Sequence, residues 1–318
     1  MPPVDRNEPV RADYSASQYS LMEFIREFPN DASCLGWLWR NRYSEDGSHA
    51  FCPKCDRERK FHKVKERPAW DCDSCGYHMH PLAGTIFAKS STSLQLWFFA
   101  IHLMTSTRCG VSAKQLEREL GVTYKTAWRM FTLIRNKLMT EDGRPLTGYV
   151  EVDETSVDGK PRVKHSMRTD PDARSKAKKL RERSRATVFA AVERGGRVKA
   201  TVLPSRRGPG LHNQVVDWVH PTSIVYTDEW SAYNRLGGSF ASHSRVRHST
   251  GEYVVGDAHT NTIEGFFGHL KPSIRGTYRK VSHKWLQGYL NEFTWRYNHR
   301  HDRQAMFETL LLRAASAG

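Results

Sequence analysis

The chain has no apolar run of the roughly 20 residues that a bilayer span requires. Its most apolar stretch, Leu94 to Met104, is about half that length and holds Gln95 and His102. The opening residues, MPPVDRNEPVRAD, carry no apolar core of a secretory signal. Acidic residues are in short supply: 34 Asp and Glu face 49 Lys and Arg, a net charge of +15. Apolar residues make up only 38%, mean hydropathy is −0.65, and no segment repeats at a fixed period. From these absences the expectation is a chain that is not membrane-spanning, secreted or collagen-like.

What is present points elsewhere. At 318 residues the chain has room for two or three domains, and 9 Trp, 12 Tyr and 14 Phe can build their cores. A positive excess this large favours a polyanionic partner, nucleic acid being the expectation for an intracellular chain and a ribosome-associated or merely basic protein the plainer alternative.

Four of the six cysteines form CPKC and CDSC, with sixteen residues between the pairs. Cys52, Cys55, Cys72 and Cys75 have the spacing of two knuckles that complete a tetrahedral Zn²⁺ site. The segment 51–80 is too short for a core of its own, so the metal is expected to supply folding energy. Four thiolates close the coordination sphere, which makes this zinc structural. His62, His78 and His80 then read as surface or DNA-facing residues, and Cys34 and Cys109 as buried thiols.

Periodicity places the other elements. Residues 20–28 put Leu21, Phe24, Ile25 and Phe28 on one helical face before Pro29, and Asp31 can cap a second helix. Residues 81–92 read as a linker, and 93–106 as a buried helix. Ser112 and Thr123 cap two helices around Gly121-Val122-Thr123, the pattern of a helix-turn-helix. Strands follow at 149–153, 187–193, 197–203 and 223–227, with helices at 211–219, 261–271, 283–299 and from about 304. The whole is an α+β multidomain chain whose second half is an α/β pattern around a small sheet. Residues 160–185 hold eleven Lys and Arg against three Asp and Glu. They read both as a solvated charged loop and as a clamp on a DNA backbone.

Three acidic positions stand out. Asp153 alternates with Val150 and Val152 in YVEVDET; Asp228 follows the apolar run Ile224-Val225-Tyr226; Glu264 shares a helical face with Asn261 and Lys271. Carboxylates from separate elements are what a pair of Mg²⁺ ions needs for in-line phosphodiester chemistry. Singly, each has a plainer reading. Asp228 can cap the next helix, Glu264 can be an exposed helix residue, and Glu151 or Glu154 can be the ligand in place of Asp153.

The stretches CPKC…CDSCG, GVTYKTAWRM, YVEVDET, VYTDEWSAY, HTNTIEGFFGHLK, IRGTY and NEFTWRYNHR together resemble the bacterial insertion-sequence DDE transposases with a zinc ribbon, of the ISXO-like type. The resemblance runs from about residue 20 to 312. It implies an RNase H-like catalytic fold that cuts and joins transposon ends. Carried over by position, Asp153, Asp228 and Glu264 are the acidic triad holding two Mg²⁺ (or Mn²⁺), and Lys271 is the basic residue seven positions on. Asn261 is the second candidate for third ligand, and with Lys271 it would position terminal nucleotides. Lys125, Thr126 and Arg129 would read the terminal repeats, while Lys176, Lys178, Lys179 and Arg181 of the basic insertion would grip DNA.

On this reading the chain divides into a flexible tail (1–19), N-terminal helices with the zinc ribbon (20–92), the helix-turn-helix (93–140), the RNase H-like domain (148–300) and a C-terminal helix (301–318). The expected partners are double-stranded DNA, as terminal repeats and target, and a second copy of the chain, with no membrane. The expected location is the bacterial cytoplasm, at the nucleoid. Two rival readings remain: a non-catalytic zinc-ribbon regulator, and a nuclease of the same fold that cuts without joining.

Overall fold

The computed structural model describes residues 19–107, 109–140, 143–157, 185–203, 210–246 and 259–316. The N-terminal tail, apart from Tyr19, lies outside them. So does the basic insertion apart from Arg185, including Lys176, Lys178, Lys179 and Arg181. The chain folds as two compact units, 1–138 with 301–318, and 139–300.

The first unit begins with α1 (Leu21–Glu27) and α2 (Asp31–Arg42). Ser20 and Glu23 form a reciprocal capping box at the start of α1, and Asn30 caps α2 through Ser33 N–H. A four-stranded antiparallel sheet follows, β1 (His49–Cys52), β2 (Arg57–Lys63), β3 (Trp70–Cys72) and β4 (His78–Met79), in that order. Trp70 of this sheet stacks on Trp39 of α2, ring centroids 4.7 Å apart and planes within 3°. That contact gives the small sheet an apolar anchor. Residues 81–92, read as a linker around a short apolar patch, fold as turns that bury Ile86 and pack Phe87 against Trp97 and Phe98.

Helix α3 (Leu94–Ser106) is apolar almost all round, and it lies at the centre of the unit. Phe98, Ala100, Ile101 and Met104 have no exposure, and burial of side chains the size of Phe98, Ile101 and Met104 is worth about 1.5–3 kcal/mol each. Two shorter helices follow, α4 (Ala113–Leu120) and α5 (Tyr124–Leu133). Gly121 ends α4 in the left-handed region at φ +62°, which a side chain would oppose, and Thr123 caps α5 through Thr126 N–H. Residues Ile134–Leu138 continue α5 as a π-helical turn. The last helix of the chain, α9 (Met306–Ser316), returns to this unit. Phe307 packs against Phe24, Phe28 and His102, and Arg313 donates to Leu138 O at 3.0 Å.

Cys34 is fully buried, whereas Cys109 is exposed. The expectation of two buried thiols therefore holds for Cys34 alone. Cys109 sits in the connection between α3 and α4, where no element covers it.

The second unit is built on a five-stranded sheet ordered β7-β6-β5-β8-β9. Its strands are β5 (Tyr149–Val157), β6 (Ala186–Glu193), β7 (Val198–Leu203), β8 (Ile224–Thr227) and β9 (Ser242–Arg245). β5, β6 and β7 are antiparallel, whereas β8 and β9 run parallel to β5. Val150, Val152, Phe189 and Val225 bury one face against Leu211 and Val215 of α6 (Gly210–Trp218) and against Tyr233 and Leu236 of a 3₁₀ turn, Ser231–Leu236. The next residues along β5 point the other way, toward α7 (Asn261–Gly276).

Helix α8 (His283–Asn298) covers the outer edge of β7. Asn298 accepts from Val198 N–H at 2.7 Å and donates to Val198 O at 3.0 Å. Gln287 does the same for Val202 N–H at 3.0 Å and Ala200 O at 3.3 Å. Side-chain amides thus stand in for the missing strand and close an edge that would otherwise invite pairing.

Candidate active site

The last β5–β8 pair is Val152 with Thr227. β8 stops there while β5 runs on to Val157, so the sheet opens beside Asp153 and Asp228. Ligand oxygens of Asp153, Glu154 and Asp228 lie within 4.8 Å of one another in this opening. Donors on a single Mg²⁺ at about 2.1 Å are at most roughly 4.2 Å apart, so small side-chain rotations would let the group hold one ion.

Each carboxylate is held in place. Asp153 Oδ1 accepts from Glu154 N–H at 2.7 Å. Glu154 Oε2 accepts from the hydroxyl of Tyr233 at 2.7 Å, and Tyr233 itself has no exposure. Burial, followed by the charge of Glu154, pushes the Tyr233 phenol well above its usual range, so it stays a donor. Asp228 Oδ1 accepts from Trp230 N–H two residues on at 3.0 Å, a turn contact and not the helix cap expected of it, since Trp230 is itself the N-cap of the 3₁₀ turn and that turn has no side-chain cap.

Negative charge converges on Asp153. Burial raises the Asp153 carboxyl to about 7, helped by the charges of Glu154, Asp228 and Glu264 and opposed by the Glu154 N–H bond. A carboxyl in that condition favours a divalent cation, which inverts the repulsion.

Helix α7 carries the remaining candidates. Glu264 is exposed and accepts from Thr260 Oγ1 at 3.1 Å. Its charge reaches Asp153, but it stands outside the close group. Asn261 is the exposed first residue of the helix, and Lys271 lies half-buried farther along it. Glu151, weighed as an alternative ligand, is wholly buried and pairs with Arg194 at 2.7 Å. The role of the Tyr233 hydroxyl toward Glu154 was not among the expectations from the sequence. Its spacing from Asp228 in TDEWSAY was the available signal.

In the first unit, the four sulfurs of Cys52, Cys55, Cys72 and Cys75 lie within 4.8 Å of one another. Cys52 and Cys75 are 3.6 Å apart, and Cys55 and Cys72 3.9 Å. A tetrahedron with Zn–S arms of 2.3 Å has edges of about 3.8 Å. The residue after each second cysteine is left-handed, Asp56 at φ 51° and Gly76 at φ 67°, so the two knuckles are alike. Burial and hydrogen bonds to the other three thiols push Cys75 up to about 12. Four thiolates this close would repel one another, and a bound cation offsets that repulsion. His62, His78 and His80 are exposed and stand outside the cluster.

On α5, Lys125 and Arg129 are exposed, and Arg129 lies over the Trp97 ring at 5.8 Å. Thr126 is half-buried, and its hydroxyl is 3.0 Å from that of Thr123.

Comparison with known proteins gives these geometries a family. The ISXO2-like transposase domain matches residues 145–298, nearly the whole second unit. A Halobacterium salinarum protein described as an uncharacterized protein in transposable element ISH50 is 31% identical over 268 residues, 80% of this chain and 85% of the relative. The chain belongs to the ISXO2-like family of insertion-sequence transposases. A second member-like relative, an uncharacterized transposase-like protein of Haemophilus influenzae, is 31% identical over 102 residues, 32% of this chain and 81% of the relative. No solved structure gives a significant match. Among the described residues of this transposase-family chain, no helix is long and apolar enough to cross a membrane.

Proposed function

We propose that the chain is a DDE transposase. It binds the terminal inverted repeats of an insertion sequence, cleaves the ends and joins their 3′-OH groups to target DNA. The observation that carries this reading is the meeting of Asp153 and Asp228, with Glu154, at the open edge between β5 and β8, beneath the helix bearing Glu264. The sheet order, with three antiparallel strands flanked by two parallel ones, supports an RNase H-like domain.

Asp153 and Asp228 are the principal metal ligands. Glu264 or Asn261 completes the set from α7, and Glu154 is placed to assist. Mg²⁺ or Mn²⁺ bound here would supply charge stabilisation for the attacking and leaving oxygens of a phosphodiester. Lys271 and Asn261 position the terminal nucleotides. Tyr233 holds Glu154, and Trp230 holds Asp228, so neither carboxylate has to be ordered when DNA arrives.

α4 and α5 act as the helix-turn-helix, with Lys125, Thr126 and Arg129 facing the repeats. The four cysteines hold a structural Zn²⁺, and the ribbon adds DNA contacts. The basic segment with Lys176, Lys178, Lys179 and Arg181 clamps the DNA backbone. Two ends must be processed together, so a dimer at least assembles on DNA, in the bacterial cytoplasm.

The test is strand transfer from a pre-cut end by the purified full chain with Mg²⁺. Asp153→Asn and Asp228→Asn should bind ends and yield no product. Joined product at wild-type level from either variant overturns the assignment. Cutting without joining by the wild type would favour a nuclease, and binding alone a regulator.

A further inference from the structure

Glu151 and Asp153 are two residues apart on β5 and share a face, yet their surroundings differ. Asp153 lines the open edge, whereas Glu151 has no exposure at all. Its Oε2 accepts the backbone N–H groups of Thr262 at 2.8 Å and Ile263 at 3.0 Å. Its Oε1 accepts from Thr262 Oγ1 at 2.9 Å and from Arg194 Nε at 2.7 Å. The guanidinium of Arg194 in turn donates to His259 O at 3.0 Å and lies over the Tyr226 ring at 4.4 Å. His259 Nδ1 is 3.2 Å from the same Glu151 oxygen.

Enclosure and four donors leave this carboxylate nothing to offer an ion at the sheet edge. Its work is at the helix. The first turn of any helix has N–H groups without partners, which a side chain at the N-cap normally satisfies. In α7 the N-cap residue, Thr260, makes no such bond. Its hydroxyl goes to Glu264 instead. The cap comes from the strand, more than a hundred residues earlier in the chain, and the negative charge suits the positive end of the helix dipole.

We propose that Glu151 is a positioning residue for the active site. It fixes the height and rotation of α7 against β5, and so sets how Glu264 is presented to Asp153 and Asp228. The lever is short: Ile263, gripped by Glu151, is the immediate neighbour of Glu264. Arg194, at the β6–β7 turn, neutralises the buried charge and ties His259, the residue before the N-cap, to the same point. The proposal rests on the assignment of Asp153, Asp228 and Glu264 to the cleavage chemistry.

The experiment uses the full chain with Glu151→Gln, which puts an amide against the helix N–H groups, and Thr262→Val, which removes one bond and keeps the shape. Three quantities are read: amide exchange at residues 262 and 263, Mn²⁺ binding by electron paramagnetic resonance without DNA, and cleavage as a function of Mg²⁺. In Glu151→Gln the two amides should exchange faster. The half-saturating Mn²⁺ concentration should rise about tenfold or more. Cleavage should fall about 100-fold per folded molecule, as a displacement near 1 Å would produce. Thr262→Val should move all three the same way by less, and it carries the test if Glu151→Gln does not fold. Unchanged Mn²⁺ half-saturation in folded variants, whether or not exchange is faster, overturns the proposal, because a merely structural role lowers the folded fraction and leaves metal affinity alone. Asp153→Asn separates the two levels. If that variant still cleaves, the underlying assignment fails. If it is inactive while the Glu151 and Thr262 variants keep wild-type metal dependence, the positioning role alone fails.

Discussion

Replacing Asp153 by Asn should abolish cleavage and at the same time stabilise the metal-free protein. The carboxyl is raised from its usual 3.8 to about 7, chiefly by burial and then by its acidic neighbours. Below about pH 4 it is protonated in both folded and unfolded chains and costs nothing. Between about pH 4 and 7 the folded state keeps a proton that the unfolded state has lost, so stability falls as pH rises. Above about pH 7 both states are ionised and the full penalty stays. Three pKa units correspond to a ceiling of about 4 kcal/mol. Asp153 is partly exposed, and solvent screening reduces this to about 2 kcal/mol. For a unit of this size that is about 4–8 °C in melting temperature. The measurement is thermal unfolding in Mg²⁺-free buffer at pH 4.5 and pH 8, followed by amide exchange in β5 and β6 so that the second unit alone is read. Asp153→Asn should melt higher than wild type at pH 8, and the gap should shrink strongly at pH 4.5. A variant no more stable than wild type at pH 8, or a gap independent of pH, refutes the electrostatic argument.

Other expectations follow from single contacts. Cys52→Ser should drop zinc to well below one ion per chain by elemental analysis and loosen the β1–β4 sheet while β5–β9 stay protected; full zinc content would contradict the four-sulfur site. Asn298→Ala strips the partners from Val198 N–H and O, which are buried, and should cost about 2–3 kcal/mol in urea unfolding; a loss under about 0.5 kcal/mol would show that the edge is satisfied another way. Lys125→Ala with Arg129→Ala should weaken end binding and flatten its salt dependence by up to about two phosphate contacts; an unchanged slope would move the DNA contact off α5.

Much of this molecule was legible because the relevant signals are local. The cysteine spacing anticipated four converging sulfurs, and Ser112, Gly121 and Thr123 bounded α4 and α5 through caps that act over three residues. Alternation in YVEVDET anticipated β5. Signals that depend on distant chain were not readable. Strand β9, sequence SHSR, has no apolar alternation, and exists because β8 offers a parallel edge. Nothing in residues 306–316 says that the helix packs beside Phe24 and Phe28, hundreds of residues back. Glu151 shows the limit most sharply. In sequence it is one more carboxylate beside Asp153 and Glu154, and only its surroundings separate a buried cap from a ligand.

In the proposed mechanism Asp153 and Asp228 form a divalent-cation site facing DNA. Anomalous diffraction from crystals of the chain with end DNA and Mn²⁺ tests it directly. A manganese peak bridging those two carboxylates beside the terminal phosphate is the expected result. Ordered DNA with no peak there, or a peak held by other residues, would contradict it.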